Sequence, residues 1–104
     1  MIAVYLDKSQ SYHYIKDVQA VGARIGNMLL QATALGIGSC WIGEILAKKK
    51  EVYELLFPRR PSGQAALELM AVVALGYAEG RASPPRKKGL EGALLFYDWE
   101  AGKE

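Results

Sequence analysis

Few residues in this 104-residue chain could do covalent chemistry. It has one cysteine, Cys40, and one histidine, His13. A cysteine nucleophile needs a thiolate, and a histidine is its usual base. Cys40 stands between a serine and a tryptophan in an apolar corner, the setting of a small buried hydrophobe. His13 stands between two tyrosines, as a loop or surface residue does. No cation close in sequence would draw the thiol down. The sequence therefore predicts an inward-pointing, structural Cys40 and offers no catalytic acid, base or nucleophile. A cysteine enzyme stays as an alternative. One cysteine and one histidine also leave no metal-ligand set of the usual spacing.

Cys40 lies inside "LGIGSCWIG", Leu35 to Gly43, which allows other chemistry. A dinucleotide cradle needs G-x-G-x-x-G opening a helix after a strand. Here the third glycine position is Trp41, and the stretch follows a helical pattern. A P-loop fails because no Lys-Ser or Lys-Thr closes it. What remains is a helix stop at Gly36, a turn permitted by Gly38 and a short extended segment ending at Gly43. That segment could present backbone N–H and C=O groups to a flat ligand. It could equally be a tight corner with no ligand.

The elements around it follow from periodicity. "IAVYL", Ile2 to Leu6, reads as a strand buried on both faces and ended by Asp7. Ile15, Val18, Val21, Ile25, Met28, Leu29, Ala32 and Leu35 recur at three- and four-residue steps, which predicts a long helix up to Gly36. Its other faces are also largely apolar, so burial on several sides is expected. Gly22 and Gly26 each cost about 1 kcal/mol inside a helix, which close approach by another element would offset. Lys16, Asp17 and Arg24 argue against a bilayer, so the predicted contact is a soluble helix–helix one, with a second subunit as a candidate. "AKKKEVYELLF" predicts a shorter helix with Val52, Leu55 and Leu56 as its apolar face, stopped by Pro58. "AALELMAVVALGYA" predicts a strand closing at Gly76, and "GALLFYDW" a last strand. A proline-punctuated basic connection, Arg81 to Leu90, joins them. This order of elements implies an α+β class, an α/β sandwich.

Composition sets the outer bounds. With 51% hydrophobic and 23% charged residues the chain can build a core. A net charge of +2 gives no ground for a nucleic-acid partner. No apolar run has the length of a membrane span. The opening "MIAVYLDKSQ" lacks the basic n-region of a secretory signal, and one cysteine suits a reducing compartment. The expectation is a cytoplasmic protein with no membrane partner.

The order of motifs resembles the C-terminal half of the FMN-dependent nitroreductase family, from Ile2 to about Trp99. "ALGIGSCWIG", and "ALGY" followed by a Pro-Arg-Lys loop, carry the resemblance most specifically. It implies homodimers with the flavin at the subunit interface, the long helix in that interface and a C-terminal strand exchanged with the partner. It implies that Cys40, Trp41, Ile42 and Gly43 pass the isoalloxazine ring through backbone groups. It implies that Arg86 and Lys88, with Lys87 between them, hold the flavin phosphate. The implied activity is FMN-dependent oxidation of NAD(P)H, with electrons passed to a small-molecule acceptor such as a nitro compound or quinone. The flavin carries such chemistry, and the protein positions it. The arginine- and serine-rich phosphate grip of the family's N-terminal half has no counterpart here. Residues 1–104 are accordingly expected to form a single, partial nitroreductase-like domain that binds FMN weakly or not at all. The alternative is a flavin-free homodimeric binding or dimerisation module.

Overall fold

The computed structural model describes residues 1–60, 66–80 and 89–93. Three strands, β1 (Ile2–Asp7), β2 (Gly38–Ile42) and β3 (Leu67–Gly76), form one antiparallel sheet in the order β1-β3-β2. The helices are α1 (Tyr14–Ala34), α2 (Lys49–Leu56) and the single turn α3 (Leu90–Ala93). Short 3-10 turns, Lys8–Gln10 and Glu44–Lys48, lead into α1 and α2.

β3 is the centre of the sheet because it is the most apolar strand. Leu69, Ala71, Val72 and Val73 are buried in it. Val73 and Ala71 meet Ile25 of α1, and Val4, Val21, Met28 and Leu29 close around them. The β1–β3 register slips between Val4 and Tyr5, where Val4 faces Ala71 but Tyr5 faces Leu69. Met70 is the extra residue of this bulge. Successive strand residues point to opposite faces, so β1 serves two layers. Val4 joins the α1 core, while Tyr5 packs edge-on against Tyr53 and Phe57, with ring centroids 6.5 and 5.8 Å away.

Both ends of α1 are built from local chemistry. His13 is the N-cap, and its Nδ1 accepts from the Lys16 N–H at 3.4 Å. The Asp17 carboxylate accepts from the Ser11 hydroxyl and from the His13 N–H. The Ser11 hydrogen bond, foremost, holds Asp17 below the usual carboxylate range. At the other end Gly36 has φ +73°, its N–H bonds Thr33 O at 3.0 Å, and the Ile37 N–H bonds Ala32 O at 2.8 Å. This paired arrangement ends a helix on a left-handed glycine, as the sequence predicts for Gly36.

Several expectations change. β1 is an edge strand with only Leu6 buried, because its partners are antiparallel and lie on one side. Within α1 only Ile25 and Ala32 are buried, while Ile15 and Leu30 are 62 and 71% exposed and Leu35, the C-cap, is 63% exposed. The sheet offers the helix one face, and nothing else in the described residues covers the rest. α2 packs through Tyr53 rather than through Leu55 and Leu56, which stand exposed, because its partners are the aromatic rings of Tyr5 and Phe57. Gly92 and Ala93, read as the start of the last strand, belong to the α3 turn, where the Gly92 N–H bonds Gly89 O. The remainder of that predicted strand, 94–99, lies outside the described residues.

Candidate functional site

The extended segment after Gly36 is a full strand, and its position gives it chemical interest. Among the described residues β2 pairs with β3 on one side only, which makes it the second edge of the described sheet. Half of the backbone N–H and C=O groups of an edge strand have no ladder partner. Cys40, Trp41 and Ile42 lie in this strand, and Gly43 follows it directly. A Cβ built on Gly43 meets nothing within 4 Å, so the backbone there can be approached closely.

The two faces of β2 differ. Trp41 stands opposite Val73 and turns toward α1, where its Cη2 lies 3.8 Å from a Cβ built on Gly22. Cys40 stands opposite Ala74 and points the other way. That corrects the expected inward cysteine. Cys40 is a free, exposed thiol, because α2 covers the β1 side of this face and leaves β2 open. Gly38 does not make the turn. It opens β2 opposite Gly76, where a Cβ would come 3.1 Å from Gly76 O, so its missing side chain admits close strand approach. Gly38, Ser39, Cys40 and residues Ala74 to Ala78 line an open cleft of about 320 Å³.

His13 is not a base for Cys40. Trp41 reaches α1 at Gly22, and Tyr14, the first residue of the helix, lies eight residues earlier, about 12 Å along the axis. His13 is engaged there as a cap, while Cys40 faces away from the helix.

These features fit the edge of a flat cofactor better than covalent chemistry. An uncovered edge strand, a bare glycine at its end and small residues beside it suit a ring held through backbone groups. Arg86 and Lys88, the expected phosphate cations, lie outside the described residues. Among the described residues no His, Cys, Asp or Glu group could hold a metal ion, and no helix is long and apolar enough to cross a membrane.

An antiparallel sheet backed by one long helix, with a glycine-flanked edge strand left open, is a fold of the nitroreductase type. The Nitroreductase family model matches residues 1–77, and the chain belongs to that family. A protein assigned as a nitroreductase from Desulfovibrio desulfuricans, crystallised in complex with FMN, is 33% identical with a TM-score of 0.75. The match covers 93% of this chain and 54% of that one, so the chain spans about half the length of this relative. No curated protein matches the chain.

Sequence reasoning singles out the Cys40–Gly43 segment but misses the neighbour of Trp41 on α1. The signal was the Gly22/Gly26 pair, read as one contact. Gly22 meets the Trp41 indole, whereas a Cβ on Gly26 meets nothing within 4 Å.

Proposed function

We propose that this chain is an FMN-dependent oxidoreductase module that works as a homodimer. The observation that carries the reading is the open edge of β2 at Cys40–Gly43, in a family with a solved relative that holds FMN. Bound flavin would supply hydride and electron transfer from NAD(P)H to a nitro compound or quinone. The chain's own residues bind and orient. Backbone groups of Cys40, Trp41, Ile42 and Gly43 would line the ring. Arg86 and Lys88 would hold the phosphate, where a rigid guanidinium fork and a fixed charge are chemically apt. The exposed apolar side chains of Ile15 and Leu30 on α1, and of Leu35 at its C-cap, support a partner subunit on that helix. Exchange of residues 94–99 with the partner's sheet belongs to the same proposal.

The test is FMN titration of the purified protein, followed by quenching of flavin fluorescence, with native mass giving subunit and flavin counts together. A saturable quench on a two-subunit species supports the reading. A dimer without any flavin affinity would replace it with the flavin-free dimerisation module.

A further inference from the structure

We propose that Gly22 is a positioning residue: the room left by its missing side chain seats the Trp41 indole beside α1, and that seat fixes the course of β2 through Cys40–Gly43. The inference rests on the flavin reading for the purpose of the strand, but the contact itself is independent of it.

β2 is weakly held. It has a ladder on one side only, glycine at its first position and glycine just beyond its last. Its side chains toward α1 are those of Ser39 and Trp41, and only the indole is large enough to bridge to a helix. Where the indole arrives, α1 carries glycine, a residue that a helix interior disfavours by about 1 kcal/mol. A Cβ at Gly22 would lie 3.8 Å from Trp41 Cη2, ordinary contact, so the indole sits one carbon from the helix surface. Alanine fits that space. A longer, β-branched side chain does not, because its χ1 is stiff and its second shell of carbons must share the room of the indole. Gly26, one turn on, has open space around it, so the fit to Trp41 is particular to Gly22.

Displacing the indole tilts an edge strand whose backbone would meet the ring. Hydrogen bonds from that backbone to the ring would weaken steeply as their distances and angles leave the favoured range. Cys40, adjacent to Trp41 and exposed, reports the same movement without any flavin.

The experiment compares Gly22→Ile, Trp41→Ala, the double variant and Gly22→Ala by FMN affinity, by the labelling rate of Cys40 with a thiol reagent, and by sedimentation. Gly22→Ile is expected to weaken FMN binding about tenfold, the loss of one or two hydrogen bonds, and to change the Cys40 rate, with subunit count unchanged. Trp41→Ala probes the seat from the other side and is expected to change both readouts too. The double variant, in which isoleucine fills the place of the indole, recovers much of the loss, and Gly22→Ala retains affinity as the conservative variant. Unchanged affinity and Cys40 rate in both single variants overturn the proposal, as does a double variant no better than the sum of the singles. Wild-type protein without FMN affinity overturns the flavin reading instead, and the Cys40 rates alone then decide whether Gly22 seats the strand.

Discussion

The Tyr14 hydroxyl lies 3.1 Å from each carboxylate oxygen of Glu68, so the first residue of α1 is tied to the start of β3. Lys49, the first residue of α2, reaches the same carboxylate at 2.9 Å. One acidic side chain thus joins three elements. The Lys49 hydrogen bond, foremost, holds Glu68 below its ordinary value of 4.5, and the Glu68 bond holds the Tyr14 phenol above its usual range.

A folded-state value below the unfolded one means that the charged carboxylate stabilises the fold. That contribution is present above about pH 4.5 and is lost as pH falls through the lower folded value. Glu68→Gln keeps a partner for Tyr14 but removes the charge. It should lower stability at neutral pH by about 1 kcal/mol or less, since Lys49 is partly solvated. Thermal melts of both proteins from neutral to acid pH check this. The gap should close below pH 4.5, and a gap that widens in acid would refute the assignment.

Tyr5 raises the opposite question. Its hydroxyl is buried with no hydrogen-bond partner among the described residues, and burial, ahead of its neighbour Tyr53, pushes the phenol up. An unpartnered buried hydroxyl costs about 1–3 kcal/mol in lost hydration. Tyr5→Phe keeps the ring contacts with Tyr53 and Phe57 and should leave the protein as stable or more so. A clear drop in denaturation midpoint would show that the hydroxyl has a partner.

How much of this could be read from the chain depends on the range of the interaction. The Gly36 stop, the Gly76 strand end and the span of α1 are local, set by backbone conformation and periodicity, and they stand as predicted. The burial of Cys40 was misread because a sheet edge and a face left open by α2 are products of packing, invisible at one position. α2 misled for a similar reason. Its leucines are apolar at the right spacing, but its buried contact is Tyr53 on Tyr5, a pairing across 48 residues of chain. The edge-strand character of "GSCWI" was legible only as an extended segment, because five residues carry too little alternation to show which side is paired.

Gly36 allows a direct test of the local part. At φ +73° an alanine adopts a left-handed backbone at a cost of about 1–2 kcal/mol. Gly36→Ala should lower the unfolding free energy by that amount, whereas Gly43→Ala, at φ −88° and in open space, should not. Equal effects in chemical denaturation would discount the helix-stop argument.

Gly26 separates fold from assembly. A Cβ there meets nothing within 4 Å in the same chain, so leucine fits the protomer and even favours the helix by about 1 kcal/mol. Within a dimer packed on α1, the same leucine overpacks the contact at about 1–3 kcal/mol. Gly26→Leu is therefore expected to sediment toward monomer while its far-UV spectrum is retained. A dimer of unchanged affinity would place the interface elsewhere.

The basic residues Arg86 to Lys88 bear on how much of the cofactor this chain can hold. The proposed ring contacts at Cys40–Gly43 are backbone groups, which a substitution can shift but not delete, whereas the cations proposed for the phosphate end can be removed outright. Each charge-assisted hydrogen bond from the proposed cations would contribute about 1.5–3 kcal/mol. Losing both cations in Arg86→Ala with Lys88→Ala should therefore weaken FMN by two orders of magnitude or more, since about 1.4 kcal/mol is tenfold. The same contacts are screened by salt, with a Debye length of about 10 Å at 0.1 M. Wild-type affinity should accordingly fall as salt rises, while riboflavin, which has the ring but no phosphate, should bind independently of salt and of the double substitution. If riboflavin and FMN bind alike, Arg86 to Lys88 take no part in binding, and affinity rests on the β2 edge alone.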